Sequence, residues 1–565
     1  MYLVWDIALL KFIALFFSYF LWLNAFSWAS NLSHLVNEFE YRDDTTKDNK
    51  AKQLHPNSHI NIFLPSIPYS YIAKSTNAGL IRSYDNEQGW VYDLAKSHKR
   101  VDEFTYIFEL RKNLKFQNGT DFSIDDAIYN LNFFKKNPFL YTNIDKIDFE
   151  VYKLDETHLK IILKQPYEMF LTDLARVYFY TKEYIEKYNP IGEETGTANR
   201  AAGAFGMGPY IIKSGYARGD RHTDKIELEA NPFYWNKEYP KIRYITVYTQ
   251  LSIKQAMDDI TKFEGKLDLA PIPFNKKLDV ITSKYAKLIV SKSTDNITIF
   301  FNLINGNKKL LNKDVRIALN QALNRKNLLK FVYKNEGKIS PFTASINYKV
   351  VEEIAKEESI KEDIFSKQKL NSLLNGLILE VFTQDRFLFL LKGIEYQLKE
   401  YGVKFNYKIT SSEKDIYKQL LTTSSNKNRQ KWDLLIWGND DWYYQNPWTV
   451  FFIYENNSVW STIPPDPIMQ SYIDKFFITK TNSDEYKKVV KNILLRARAK
   501  AYTLRVPSPN KIIAVNKEVI FKPYQGGIIP LWEIEISNDH WSIRKDKHYP
   551  DKLKRPIKPK RYTHD

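Results

Sequence analysis

Cysteine is absent from all 565 residues. That excludes disulfides, thiol nucleophiles, thiolate metal sites and a lipidated N-terminal cysteine. Histidine is scarce, with nine scattered residues. His55 and His59 stand four apart, but Pro56 and polar surroundings argue against a helical metal pair. There is no His-Glu-x-x-His, no Gly-x-Ser-x-Gly, no EF-hand loop and no complete phosphate loop. The glycines at Gly203, Gly206 and Gly208 lack a following Lys-Ser or Lys-Thr and lead into a strand pattern, so they read as a tight turn. No cofactor or metal is expected, and the chain reads as a non-enzyme. Beyond the N-terminus no apolar stretch is long enough to span a bilayer, which excludes a permease.

What is present is a large, apolar-rich and basic chain. A hydrophobic fraction of 44% and an aromatic fraction of 15% exclude global disorder, and the length predicts two or three domains. The formal charge of +17 allows attraction to anionic partners, but Lys is abundant together with Asn, Ile, Tyr and Phe, as compositional bias produces. An exported protein meets little nucleic acid, and none is expected as a partner. Residues 1–29 read as a signal peptide: 12–23 is almost wholly apolar, and Ser27-Trp28-Ala29 offers small residues for cleavage. An uncleaved membrane anchor is the alternative. Residues 30–59 read as a flexible lead-in, and 542–565, with three basic clusters interrupted by prolines, as a solvated basic tail.

Residues 104–127 carry the most specific pattern. Alternation from Tyr106 to Leu110 predicts a strand, and Asn118-Gly119 a tight turn. Ser123 ahead of Asp125 and Asp126 predicts a capped helix through Lys136, ended at Asn137-Pro138. Tyr106, Phe108, Leu110, Arg111, Lys115, Phe116, Gly119 and Asp126 stand in the order of a signature, and the stretch resembles the family-five extracellular solute-binding proteins, the peptide-type ligand-capturing subunits of ABC importers. Asp121 stands where that family usually has Pro. Further resemblance lies in Gly206-Met207-Gly208-Pro209-Tyr210, Asn231-Pro232-Phe233-Tyr234-Trp235, the strand ending in Asn302, and the helix from Asp314 to Arg325.

The resemblance implies an α/β, two-lobed periplasmic binding-protein fold with a discontinuous first lobe and a hinge. The expected division is 60–295 for lobe one, with an accessory subdomain around 90–200, 296–510 for lobe two, and 511–541 for the return to lobe one. It also implies a periplasmic monomer that takes a peptide or peptide-like ligand to an ABC permease in the inner membrane. An exported hydrolase acting on peptides or cell-wall fragments is the rival. Residues 377–437 alternate strand and helix patterns, with Gly402 as a helix stop, and predict a parallel sheet. Ligands on such sheets sit beyond the carboxyl ends of the strands.

The segment from Trp437 to Trp448, WGNDDWYYQNPW, leaves such an end. It resembles the family run whose Asp pairs with a ligand α-ammonium. Anchored on Pro447, Tyr443 takes the acid's place; a shift of one residue brings Asp441 there. Asp441 is the first candidate and Asp440 the second, against a surface loop whose acids cap a turn. Trp437, Trp442, Tyr443 and Trp448 are suited either to stacking a ligand or to packing the seam between lobes. Arg386 stands after a strand, where it is suited to a ligand carboxylate or to an exposed helix start.

Overall fold

The computed structural model describes residues 40–563, apart from 53, 66–67, 137–141, 189–199, 219–220, 359–364, 424–430, 440, 442, 444–445, 457 and 527. The expected signal peptide and the first part of the lead-in lie outside the described residues. Among the described residues, no helix is long and apolar enough to cross a membrane.

Two main sheets form an α/β, two-lobed fold. The larger runs in the order Arg221–His222, Tyr210–Arg218, Lys225–Ala230, Tyr244–Tyr248, His59–Phe63, Leu269–Pro271, Lys511–Asn516, Ala286–Ser291 and Lys560–Tyr562. Lobe one is thus built from distant stretches of chain. The smaller sheet runs Lys404–Thr410, Ile378–Gln384, Leu434–Asn439, Asn296–Phe301 and Thr503–Leu504. The chain passes from lobe one to lobe two between Ser291 and Asn296 and returns between Leu504 and Lys511, so these two short connections form the hinge.

The parallel sheet expected across 377–437 is present as three strands, and two antiparallel strands from outside that range extend it. Ile378–Gln384 is parallel to both Lys404–Thr410 and Leu434–Asn439, whereas Asn296–Phe301 runs antiparallel to Leu434–Asn439 and to Thr503–Leu504. The physical reason is connectivity: strands joined by helical crossovers run parallel, while the two strands next to the hinge carry the chain in opposite directions. The helix expected from Asp314 to Arg325 is split. Lys313–Gln321 ends near Ala322, and Asn324 caps a second helix, Arg325–Phe331, by accepting from the Asn327 amide.

A four-stranded antiparallel sheet, Ala95–Arg100, Thr105–Leu110, His158–Leu163 and Phe149–Lys153, forms the accessory subdomain. Thr105–Leu110 buries alternate residues, as its sequence pattern requires. Helix Ile124–Lys136 begins in a reciprocal cap: Ser123 Oγ accepts from the Asp126 amide, and Asp126 Oδ2 accepts from the Ser123 amide at 2.8 Å. One hydrophobic core runs through this subdomain and lobe two, while two smaller cores flank the lobe-one sheet.

Gln117 explains how the accessory subdomain is fastened to lobe one. Its side chain donates to the carbonyls of Thr76 and Tyr210 at 2.8 and 2.6 Å and accepts from the Gly206 amide at 3.0 Å. The glycines leave room for this. A Cβ on Gly208 would lie 2.4 Å from backbone atoms of Thr76 and Asn77. Arg111 stacks 3.8 Å from the Trp235 ring centroid, and both Trp235 and Arg82 bind Asp93. The family-like motifs at 104–127, 206–210 and 231–235 therefore meet in one place.

Both chain ends depart from expectation. Residues 40–58, read as flexible lead-in, are tied to lobe one: Arg42 pairs with Glu518 at 3.0 Å, and Asp44 pairs with buried Lys287 at 3.0 Å. The tail is not a solvated extension. Lys560–Tyr562 adds a parallel edge strand to Ala286–Ser291, Arg544 pairs with Glu264, and Arg561 pairs with Glu336. Its cations find half-buried and buried carboxylates on the folded body, which composition alone does not reveal.

A polar seam between the accessory subdomain and lobe two

Leu434–Asn439 carries the candidate segment out of the lobe-two sheet. Asp441 then turns into the hinge. It is fully buried, its Oδ2 accepts from Thr294 Oγ1 at 2.8 Å, and its Oδ1 accepts from Thr449 Oγ1 at 2.8 Å and from the Tyr443 amide at 3.2 Å. Its own amide donates to the Gly526 carbonyl at 3.1 Å, and a Cβ on Gly526 would lie 2.8 Å from the Asp441 carbonyl oxygen. The carboxylate thus ties the first hinge crossing to lobe two, and the Asp441 backbone meets the returned chain at Gly526. Tyr348, close by, is pushed well above the usual phenol range, first by burial and then by the Asp441 charge.

Tyr443 points the other way, into the accessory subdomain. Its hydroxyl donates to Asp173 Oδ1 at 2.6 Å and accepts from Asn143 Nδ2 at 3.1 Å. Asp173 is itself fully buried and accepts from the Tyr167 hydroxyl at 2.6 Å and the Asn143 amide at 2.9 Å. Burial and the Asp173 charge raise the Tyr167 phenol well above its ordinary value. The Tyr167 ring stacks on Phe477 of lobe two, with centroids 5.5 Å apart, and Lys146 pairs with Glu455 at 2.7 Å. This band of phenols, amides and one carboxylate closes the accessory subdomain onto lobe two.

Arg176 completes the band. It follows the short helix Phe170–Leu174, and its guanidinium carbon lies 5.0 Å from the Tyr443 ring centroid. Its loop is held where Gly79 allows the Val177 carbonyl to approach: a Cβ on Gly79 would meet that oxygen at 2.2 Å. Sequence reasoning missed Arg176, Asp173 and Asn143. The available signal was a lone cation inside the apolar run from Leu174 to Tyr180.

The remaining sequence candidates lie elsewhere. Asp440 and Trp442 are outside the described residues. Trp437 is a core residue. Its indole nitrogen donates to Glu413 Oε1 at 2.6 Å, its ring stacks on Trp460 at 5.6 Å, and Tyr417 and Phe452 meet it edge-on. With its faces so occupied it packs lobe two, the packing alternative expected for it. Trp448 likewise stacks on Phe476 at 5.8 Å. Arg386 is an exposed residue at the start of the helix that follows Ile378–Gln384, the alternative expected for it: it donates to Gln384 Oε1 at 2.8 Å and pairs with Glu413 at 3.2 Å. Glu413, the first residue of helix Glu413–Thr423, supplies the acid that Arg386 meets.

Two lobes, two hinge crossings and a polar seam where the moving parts meet define a hinged binding protein. Consistent with that class, residues 89–461 match the family model described as bacterial extracellular solute-binding proteins, family 5 middle. The chain belongs to this family. It is 29% identical over 357 residues to the glutathione-binding protein GsiB of Escherichia coli and of Shigella flexneri, a match covering 59% of this chain and 63% of those proteins. The matched part thus spans under two thirds of those relatives' length. Its fold is similar to that of the oligopeptide-binding protein AppA from Bacillus subtilis in complex with a nonapeptide (TM-score 0.70, 16% identity, 86% of this chain and 100% of that one). It is also similar to the Escherichia coli murein tripeptide binding protein MppA (TM-score 0.69, 16% identity, 86% and 100%). A third similar fold is that of NikA from Staphylococcus aureus in complex with Ni(L-His)2 (TM-score 0.67, 19% identity, 85% and 100%).

Proposed function

We propose that this protein is the extracytoplasmic ligand-capturing subunit of an ABC importer, that it takes a peptide or peptide-like solute between its lobes, and that its closed form docks on a membrane permease. The observation that carries the reading is the seam itself. Tyr443 of lobe two is hydrogen-bonded to Asp173 and Asn143 of the accessory subdomain, beside a cation and next to the hinge acid Asp441. Polar groups buried between two bodies that can separate are what a ligand must bridge in order to stabilise closure, because a solute shifts the hinge only through contacts that differ between open and closed states. Family membership and the likeness to glutathione- and peptide-binding proteins support the ligand class. Asp441 is proposed as the buried negative charge that favours a ligand ammonium, and Tyr443 as the group that reports closure. The protein binds and releases its solute unchanged, as a periplasmic monomer without a cofactor.

Native mass spectrometry of the purified full chain, followed by calorimetric titration with glutathione and a mixed tripeptide library, tests this. A co-purified or titrated peptide bound one-to-one, at micromolar affinity or about −8 kcal/mol, is the expected result. Sustained release of cleaved peptide would refute it.

A further inference from the structure

Arginine stays protonated under all physiological conditions, and a guanidinium withdrawn from water without an acceptor is costly. Three other arginines follow this rule. Arg82 lies against Asp93 at 3.1 Å, Arg496 against Asp466 at 2.6 Å, and buried Arg316 donates to the carbonyls of Leu310, Lys500 and Ala501. Arg176 does not follow it. The side chain is half-buried, and its Nε and Nη1 are both buried and meet no acceptor among the described residues. The nearest acid in sequence, Asp173, is already committed to the Tyr167 and Tyr443 hydroxyls and the Asn143 amide. The guanidinium lies over the Tyr443 ring, a contact that does not use its N–H donors as a carboxylate would.

We infer that Arg176 is the anion-binding end of the ligand site and takes a carboxylate of the bound solute. The inference rests on the proposed function and narrows it to solutes that carry a carboxylate. A planar guanidinium matches a carboxylate through paired charge-assisted hydrogen bonds, and a buried cation with unmet donors discriminates strongly against a solute that lacks one. Asp441, whose carboxylate accepts from the Tyr443 amide, supplies a negative charge to the same segment, so both charge signs that a zwitterion requires are present. The carboxylate has two possible sources in a peptide-like solute, the chain terminus and an acidic side chain.

The test uses two libraries of tripeptides without acidic side chains, one as free acids and one as C-terminal amides, and a third of amides that each carry one Glu. Each is titrated against the full chain and against Arg176→Lys and Arg176→Gln. We expect wild-type protein to bind the free acids at least thirtyfold more tightly than the plain amides, with Arg176→Gln binding both at the weaker level, so that the two losses do not add. Arg176→Lys retains charge without the fork and should fall between. Binding restored in the Glu-bearing amides assigns the carboxylate to a side chain. Equal binding of acids and all amides by wild-type protein overturns the inference without needing any variant to fold, and leaves the peptide reading standing. Arg176→Gln that binds free acids as tightly as wild type overturns it as well. A wild-type protein that binds none of the libraries overturns the peptide reading and the inference together.

Discussion

Glu336 offers the sharpest test of how the lobes are tied. It follows helix Arg325–Phe331 of lobe two, is almost wholly buried, and reaches two cations of lobe one. The Arg561 fork meets it with two bonds of 2.9 Å, and Lys277 meets it from helix Lys277–Ile281. Burial alone would push this carboxyl up; Arg561 and Lys277 outweigh that and hold its pKa at about 2, below the ordinary 4.5. At about 1.4 kcal/mol per pH unit the cluster contributes roughly 3 kcal/mol at neutral pH. Because the folded-state pKa is depressed, the contribution is complete above about pH 4.5 and lost as pH falls towards 2. Glu336→Gln should therefore cost roughly 3 kcal/mol at pH 7, with the deficit vanishing near pH 2, where the wild-type carboxyl is itself protonated. Urea unfolding at steps between pH 2.5 and 7 gives the two curves, and hydrogen exchange of Lys560–Tyr562 reports whether the edge strand loosens with them. Parallel curves across that range would refute the ledger, since they would mean that Glu336 titrates alike in folded and unfolded chains.

Other consequences are as direct. Gly208→Ala places a Cβ 2.4 Å from backbone atoms that cannot rotate away, and should cost about 2–3 kcal/mol in a thermal melt; an unchanged melting temperature would count against the close approach. Trp437→Ala removes a fully packed indole and one of the donors to Glu413, so a stability loss of about 3–5 kcal/mol is expected, while calorimetry on the remaining folded protein should find ligand affinity within twofold of wild type. Asp441→Asn should weaken binding of tripeptides with a free amino terminus by tenfold or more, and leave N-acetylated tripeptides unaffected; equal losses for both would show that the acid serves only the hinge.

The features legible in the sequence share a physical cause: their information is local. Ser123 with Asp126, Ser252 before helix Ile253–Thr261, and Gly402 with its positive φ of 78° each satisfy the backbone within a few residues, so spacing alone reveals them. The motifs at 104–127, 206–210 and 231–235 were readable as a family pattern, but their meeting around Gln117 and Asp93 was not. The candidate site was less legible still. Aromatic residues alternate between ligand walls and core on the strength of their neighbours, and Trp437 has Trp460, Tyr417 and Phe452 around it, none adjacent in sequence. Arg386 was promising by its place after a strand, yet Glu413, twenty-seven residues on, claims it. The basic tail misled for the same reason, since the charges that hold it lie at Glu264 and Glu336.

The hinge and the seam make opposite use of charge, and that contrast bears on how closure works. At the hinge three charges are met within the protein: Glu336 by Arg561 and Lys277, Lys511 by Asp295 at 3.2 Å, Asp441 by hydroxyls and an amide. Such clusters lose much if broken one partner at a time and so favour a fixed pivot. At the seam, Arg176 keeps buried N–H groups that no group among the described residues accepts from. Closing the lobes around nothing would bury that cation at a cost of several kcal/mol, whereas closing them around a carboxylate converts the same burial into charge-assisted hydrogen bonds. The penalty for closing unliganded and the reward for closing on the right solute then come from a single side chain. A protein built this way should stay predominantly open until loaded, and removing the cation, as in Arg176→Gln, should raise the closed fraction of the unliganded protein in small-angle scattering even as it weakens binding. An unliganded Arg176→Gln protein no more compact than wild type would break that link between the two effects.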